Sequence, residues 1–403
     1  MTRESDSPWP VQTFEPYPAA PGLYFGRTAA RSPAFSANDA AGGTSVLIGA
    51  AAGTDRAGVA VRARGELAER VGNVLAGRQA EAGGRVGGLV GSHDALRRAG
   101  APVLDPAAWP ELSDTARELR AAELLWVPGQ SLTGGGEVLV PACAVYLAHR
   151  PPSGCAAPLR PGSTGLAAHR SRPEAERHAA LEVLERHLLW QAWYADGERT
   201  RPARPVLAPP LLAALTALGA VATFLVLPGP AGTSCVLACV HAPDGTGQTF
   251  GARATAGPAD DTAAQAACQE ALMVRWSLGT PAARDAWRHM RATGGGAPPY
   301  GPLEHALYAF HRQDGLAHLR AGSTAAAPSR GGGRPPEPAR ALADLTGEDV
   351  VLVDTTAATG SRGPGGAEAV VRLVAPGARR LPADERAQRL PARARTRLPH
   401  PLG

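Results

Sequence analysis

Ser163-Thr164-Gly165-Leu166-Ala167-Ala168-His169, then Arg172-Pro173-Glu174-Ala175, then His178-Ala179-Ala180-Leu181-Glu182-Val183-Leu184-Glu185-Arg186 is the run on which the reading of this chain turns. Its second half belongs to the clearest helix in the sequence, Arg172–Tyr194. Pro173 suits a first helical turn, where the missing N–H has no intrahelical partner. Ala180, Leu181, Leu184 and Leu188 supply an apolar stripe. Glu182 and Glu185 are set into that apolar helix three residues apart, and residues at that spacing share a helix face, so their carboxylates stand side by side. Magnesium takes a few hard oxygen ligands from protein and leaves its other positions to phosphates and water.

The same string, E-x-x-E-R, recurs upstream as Glu66-Leu67-Ala68-Glu69-Arg70. It lies in Ala57–Ala76, where Val61, Leu67, Val71 and Leu75 have the spacing of an amphipathic helix. A single copy is common as salt-bridge decoration on a solvated helix. Two carboxylate pairs facing one pocket could hold magnesium against a triphosphate. The adjacent arginines, Arg70 and Arg186, read equally well as supports of such a site and as structural partners of their own glutamates.

Working outward, residues 1–45 are rich in Pro, Ser and Ala and read as an extension over the surface, with Leu23–Phe25 as an edge strand. A domain of residues 46–403 follows, with regular structure from Ser45–Gly49. A second helix is expected over Thr115–Leu125 and a β-rich run over Val138–Leu147, followed by a loop around Pro151–Pro161. Leu211–Leu218 reads as a surface helix that turns at Gly219 into strand Val221–Leu227, too short and too interrupted for a membrane span. Cys235–His241 completes a hairpin, and Asp261–Leu278 is a helix. Residues 322–338, rich in Gly, Pro and Arg, predict a flexible loop. Strands Val350–Asp354 and Ala369–Val374 precede a Pro/Arg-rich tail, 378–403.

Composition excludes several chemistries. All 41 basic residues counted as Lys+Arg are arginine, so neither a G-x-x-x-x-G-K-[ST] phosphate loop nor a lysine Schiff base can form. Arginine use beside abundant Ala, Gly and Pro reads as a GC-rich coding bias of an actinobacterial kind. The pI near 9.2 would suit nucleic acid, but the arginines are scattered and aromatics make up only 5%, so no nucleic-acid partner is expected. Five cysteines without C-x-x-C spacing and no targeting segment predict reduced thiols in the cytoplasm, with no membrane partner.

The run from Ser163 to Arg186 resembles the central signature of the YcaO family, S-N-G-x-A, a short turn, then A-x-x-x-A-L-x-E-x-x-E-R. Other blocks agree in order. Val127-Pro128-Gly129-Gln130-Ser131-Leu132-Thr133-Gly134 and Val140-Pro141-Ala142 look like the stretch before it. Leu303-Glu304-His305-Ala306-Leu307-Tyr308 resembles an H-x-x-Y segment. Asp344-Leu345-Thr346 and Val370-Val371-Arg372-Leu373-Val374-Ala375-Pro376-Gly377 resemble the late D-L-T and V-V-R-V-x-x-P-G blocks. The resemblance implies an α+β, YcaO-like fold of mixed sheets flanked by helices that carry an ATP/Mg2+ site. Carried over position by position, Glu66, Glu69, Glu182 and Glu185 are the magnesium ligands. Arg70, Ser163, Thr164 and Arg186 join those four acids in the nucleotide site. The departures are Arg62 for the serine of the first motif and Thr164 for the asparagine of the second. Gln265-Ala266 stands where an arginine is expected ahead of Glu270.

The activity implied is that of an azoline-forming cyclodehydratase of the kind used in ribosomal-peptide and thiopeptide biosynthesis. A Cys, Ser or Thr side chain attacks the preceding amide carbon, ATP phosphorylates the resulting oxyanion, and phosphate leaves to give a thiazoline or oxazoline. Thioamide or amidine formation, and a catalytically impaired scaffold subunit, remain open alternatives. The partners implied are a precursor peptide and a separate leader-peptide-binding protein of the E1-like or RRE type, because residues 1–45 are too short and Pro-rich for that task. A homodimer stays open. The ending Leu398-Pro399-His400-Pro401-Leu402-Gly403 resembles the P-x-P-x-P terminus of azoline-forming members, so the Gly403 carboxylate or His400 is the expected catalytic group for proton transfer.

Overall fold

The structure, a computed structural model, describes residues 9–37, 45–83, 88–195, 200–293, 301–312, 314–321, 337–356, 369–382 and 398–402. The chain opens with β1 (Gln12–Phe14), β2 (Tyr24–Ser32), β3 (Ser45–Gly53) and the long helix α1 (Arg56–Glu81). Next come β4 (Leu89–Ser92), α2 (His93–Arg98), α3 (Ala116–Ala121), β5 (Glu123–Ser131), β6 (Glu137–Pro141) and α4 (Ala142–Val145). The middle holds β7 (Leu166–His169), α5 (Arg172–Tyr194), β8 (Arg201–Ala203), α6 (Pro209–Ala217), β9 (Val221–Pro228), β10 (Ser234–His241) and β11 (Thr249–Thr255). Helices α7 (Asp261–Leu278), α8 (Pro281–Ala292), α9 (Pro302–Arg312), α10 (Gly315–Arg320) and α11 (Pro338–Thr346) precede β12 (Val351–Asp354) and β13 (Ala369–Val374).

The strands form three antiparallel sheets: β1-β2-β3, then β11-β10-β9-β8, and β4-β5-β12-β13-β7 with β6 also paired to β5. Helix α1 packs on β2 and β3 and also on β7 and β13, so it lies between the first sheet and the third. Helix α5 touches β13, β7 and β11 and lies between the third and the second. Apolar burial explains that position: Ala180, Leu184, Leu188 and Trp193 of α5 are 3% exposed or less and centre the largest core cluster. Full burial of each large side chain stabilises by about 1.5–3 kcal/mol. Helix α7 lies across β11 and β10 and reaches β3. The architecture is therefore α+β with helices between the sheets, and the sheets, expected to be mixed, are antiparallel in every described strand pairing. None of the described helices is long and apolar enough to cross a membrane.

Three expectations change. Leu23–Phe25 is not an edge: β2 is the middle strand of its sheet, and Leu23 and Phe25 are buried among Phe14, Tyr17 and Trp276. The helix expected over Thr115–Leu125 stops at Ala121, because Leu124, Leu125, Trp126 and Val127 are buried as a strand between sheet neighbours. The run Val138–Leu147 is a strand only to Pro141 and then turns into α4. Most of the predicted loop, 322–336, lies outside the described residues, as does Gly403.

Candidate active site

Free strand edges build this site. Among the described residues β3 pairs only with β2, leaving one row of its backbone groups without a strand partner there. Arg62, Glu66 and Arg70, four residues apart on one face of α1, cover that row. Arg62 Nη2 donates to the Ala52 carbonyl at 2.9 Å, the Ala50 amide donates to Glu66 Oε2 at 2.6 Å, and Arg70 Nη1 donates to the Ile48 carbonyl. Arg70 also pairs with Glu66. The outer edge of β11 is covered in the same manner. The Ala252 amide donates to Glu270 Oε2 of α7 and the Ala254 amide to Glu185 Oε2 of α5, both at 2.9 Å. Just before β7, the Gly165 amide donates to Glu182 Oε2 at 3.1 Å. Four carboxylates are thus each fixed by one backbone N–H.

Glu66 and Glu270 are held by one repeated arrangement. Gly49 precedes the amide that binds Glu66, and a Cβ there would fall on the Ala63 carbonyl and the Leu67 amide of α1. Gly251 precedes the amide that binds Glu270, and a Cβ there would fall on the Ala267 carbonyl and the Ala271 amide of α7. In each case a glycine lets the helix press onto the strand, one turn below the glutamate it delivers. Strand, close glycine, helix and tethered acid occur twice.

The two E-x-x-E-R strings meet between these units. Burial first, then Glu182 and Glu66, push the Glu69 carboxyl well above the usual carboxylate range. Burial, with Glu185 adding to it, raises Glu182 to about 7 against the opposing pull of Arg186, the Gly165 amide and Arg372. Glu270 is raised by burial and then by Glu185. Arg186 answers these charges. Burial alone would lower its pKa, but Glu185, Glu270 and Glu182 outweigh that and raise it; its Nη2 lies 3.7 Å from Glu185 Oε1.

Acids crowded until they resist ionisation are what a bound cation relieves. Among the described residues, however, no three His, Cys, Asp or Glu side chains come together as a metal cage. A calcium- or zinc-like all-protein site does not fit that donor set. Magnesium does, since it binds through one or two carboxylates and completes its octahedron with phosphate oxygens and water.

Arg372 completes the cluster from β13. It is 3% exposed and faces Glu182 and Glu69, and its Nη1 donates to the Gly162 carbonyl at 2.8 Å, bracing the loop that carries Ser163 and Thr164. Its Nε has no hydrogen-bond partner. Burial and the nearby Arg380 lower its pKa to about 9. Thr164, Arg372, Arg380 and Trp109 line one small cavity. The sequence reading missed Arg372, which stood there only as a letter of the V-V-R-V block, and it gave Glu270 no role. His400 lies away from solvent, 5% exposed, with Arg186 among the charges that face it. Both its ring nitrogens meet backbone groups, the Pro382 carbonyl and the Leu402 amide.

A family model described as YcaO cyclodehydratase, ATP- and Mg2+-binding, matches residues 49–379, from Gly49 through both glutamate strings and Arg372. The chain belongs to the YcaO family. The ATP and Mg2+ of that description are the pair to which the carboxylates and buried arginines are suited. Among solved structures, a YcaO of Methanopyrus kandleri bound with AMPPCP and Mg2+ is 20% identical with a TM-score of 0.57, covering 94% of this chain and 89% of that one. The E. coli microcin synthetase McbBCD complex contains a chain 14% identical with a TM-score of 0.58, over 93% of this chain and 90% of that one. A heterocyclase in complex with substrate and cofactor is 16% identical with a TM-score of 0.61, over 92% of this chain but 50% of that one. An uncharacterised protein of Methanothermobacter thermautotrophicus is 41% identical over 81 residues, a match that spans 20% of either chain. The structural likenesses, all at low identity, concern the fold.

Proposed function

We propose that this YcaO protein is an ATP-dependent cyclodehydratase that forms azolines on Cys, Ser or Thr of a ribosomal precursor peptide. The observation that supports this most is the approach of Glu69 on α1 to Glu182 on α5, with Glu66, Glu185 and Glu270 tethered around them and Arg186 and Arg372 buried beside them. In this reading Glu66, Glu69, Glu182 and Glu185 hold magnesium, while Arg70, Ser163, Thr164 and Arg186 join them in binding nucleotide. The nucleotide supplies, when bound, the phosphoryl group with which the amide oxygen departs. The substrate's own side chain closes onto the preceding carbonyl carbon, so each ring costs the peptide one water. Arg186 and Arg372 are fixed cations in a dry site, where stabilising a developing oxyanion needs no reorganisation. Gly403 or His400 serves proton transfer in this reading. The leader of the precursor is held by a separate protein.

Incubating the purified chain with precursor, leader-binding partner, ATP and Mg2+ tests this, with peptide mass and phosphate release followed together. Loss of one water per ring with matching phosphate release is expected. An oxygen-to-sulfur exchange on the peptide would place the chemistry with thioamide formation. No phosphate release under any of these conditions would make the chain a scaffold subunit, the reading to which Arg62, Thr164 and Gln265-Ala266 point.

A further inference from the structure

Helix α9 carries a histidine that none of the chemistry above uses. His305 is 1% exposed, and its Nδ1 lies 2.8 Å from the Gly301 carbonyl, so that nitrogen bears a proton. Its ring stacks on His400, with centroids 4.1 Å apart and planes 15° from parallel. His400 Nε2 lies 2.9 Å from the Pro382 carbonyl and therefore also bears a proton, which leaves Nδ1 to accept from the Leu402 amide at 3.3 Å. Neutral rings satisfy every one of these contacts. Burial, then His305, hold His400 well below the usual histidine pKa.

The residues around His400 are held as firmly. Trp193 Nε1 of α5 donates to the Leu398 carbonyl at 2.8 Å, and Leu402 is 4% exposed within the core cluster around α5. Arg186, also on α5, faces His400. The described end of the chain thus lies against α5, the helix that carries Glu182, Glu185 and Arg186. Its holds include the Trp193 donor, the buried Leu402 side chain, the His400–Pro382 hydrogen bond and the ring stack. The stack is supplied by α9, from outside α5 and its core.

We infer that His305 is a positioning residue that docks the C-terminal segment Leu398–Leu402 beside Arg186 by stacking on His400. Flat stacked rings contribute beyond the area they bury, and the His400 ring in turn fixes the Leu402 amide. The docking stands on the contacts alone; its consequence for cyclisation rests on the function proposed above.

The test compares His305→Ala, His305→Phe, a chain lacking residues 399–403, and the truncation combined with His305→Ala. Hydrogen exchange of the C-terminal peptide reads docking. His305→Ala should speed exchange at Leu402 roughly tenfold, and His305→Phe, which keeps a flat ring, should stay close to wild type. Cyclisation kcat should fall in His305→Ala with affinity for Mg2+ and a non-hydrolysable ATP analogue retained. In the truncated chain the same substitution should change nothing further. Unchanged exchange in His305→Ala overturns the inference, as does an equal loss of kcat with and without the tail. A loosened tail with normal cyclisation would leave the docking role standing and remove the chain end from the proposed chemistry.

Discussion

Glu182 shows how much of the site depends on charge rather than shape. Its carboxylate accepts the Gly165 amide and stands with Glu69 and Glu185 in a buried cluster. In Glu182→Gln the amide oxygen can still accept from Gly165, so the fold should hold while the cation loses a ligand. ATP turnover should fall to background with an unchanged circular dichroism spectrum, and wild-type phosphate release by this variant would remove the magnesium reading. Arg372→Lys is a second test at this scale. Lysine keeps the charge but loses the planar fork that meets the Gly162 carbonyl. If Arg372 stabilises the transition state, kcat should fall on the order of a hundredfold, with nucleotide affinity little changed. Wild-type kcat in the lysine variant would return Arg372 to a purely structural role. The E-x-x-E-R glutamates were legible in sequence because a repeated three-residue spacing is itself a signal. A lone Glu270 on a helix and a lone Arg372 on a strand have no such pattern, and only the fold brings them to the others.

Elements read well where a cap or an apolar stripe marks them. Helix α7 starts after Asp260, whose side chain accepts from the Ala263 amide at 2.7 Å, and α5 starts at Arg172 with Pro173 in its first turn. Both helices have the ends expected from sequence. Helix α1 overruns its expected end because Arg78 and Glu81 tie its last turn to Ala34, Ser36, His149 and Arg150, partners far away in sequence. The misread stretch around Leu124 failed for a related reason: burial between strands, again with partners far away in sequence, decides its conformation. Burial raises the Glu81 pKa, but hydrogen bonds from His149, the Arg150 amide and Arg78 outweigh it, and the net value lies below the usual 4.5. A carboxylate lowered in this way stabilises fully above about pH 4.5 and loses that contribution as pH falls through its folded value. Glu81→Gln should therefore melt lower than wild type at neutral pH, with the gap narrowing in acid; a gap constant with pH would contradict it. Gly251→Ala tests the close strand–helix approach. The added methyl meets backbone of α7, and overpacking of this kind costs about 1–3 kcal/mol. Its melting temperature should drop, and ATP turnover should drop with it as Glu270 is displaced. A variant as stable and active as wild type would show that α7 can move away without consequence.

At the scale of the molecule, the described strands ahead of α1 belong to the fold. β1, β2 and β3 form one sheet, α1 packs on β2 and β3, and the edge of β3 supplies the amide that fixes Glu66. β1 and β2, from the stretch expected to lie over the surface, are strands of that sheet rather than a loose cover, and α1 packs on β2. In the reading proposed here, capturing a precursor falls to a separate protein. Tethering a leader beside the site turns encounter of the core peptide into an intramolecular step with an effective concentration set by the linker, and such linkage raises overall affinity by about 10²–10⁴ without any new contact at the site. The expected signature is therefore in KM more than in kcat: adding the leader-binding partner should lower KM for the full precursor by about that factor. It should leave unchanged the processing of a core peptide stripped of its leader, measured by ring formation in the same assay. A partner that raised processing of the leaderless peptide equally would be acting on the site itself. Full-rate modification of the intact precursor by the isolated chain would mean that leader recognition resides in this chain after all.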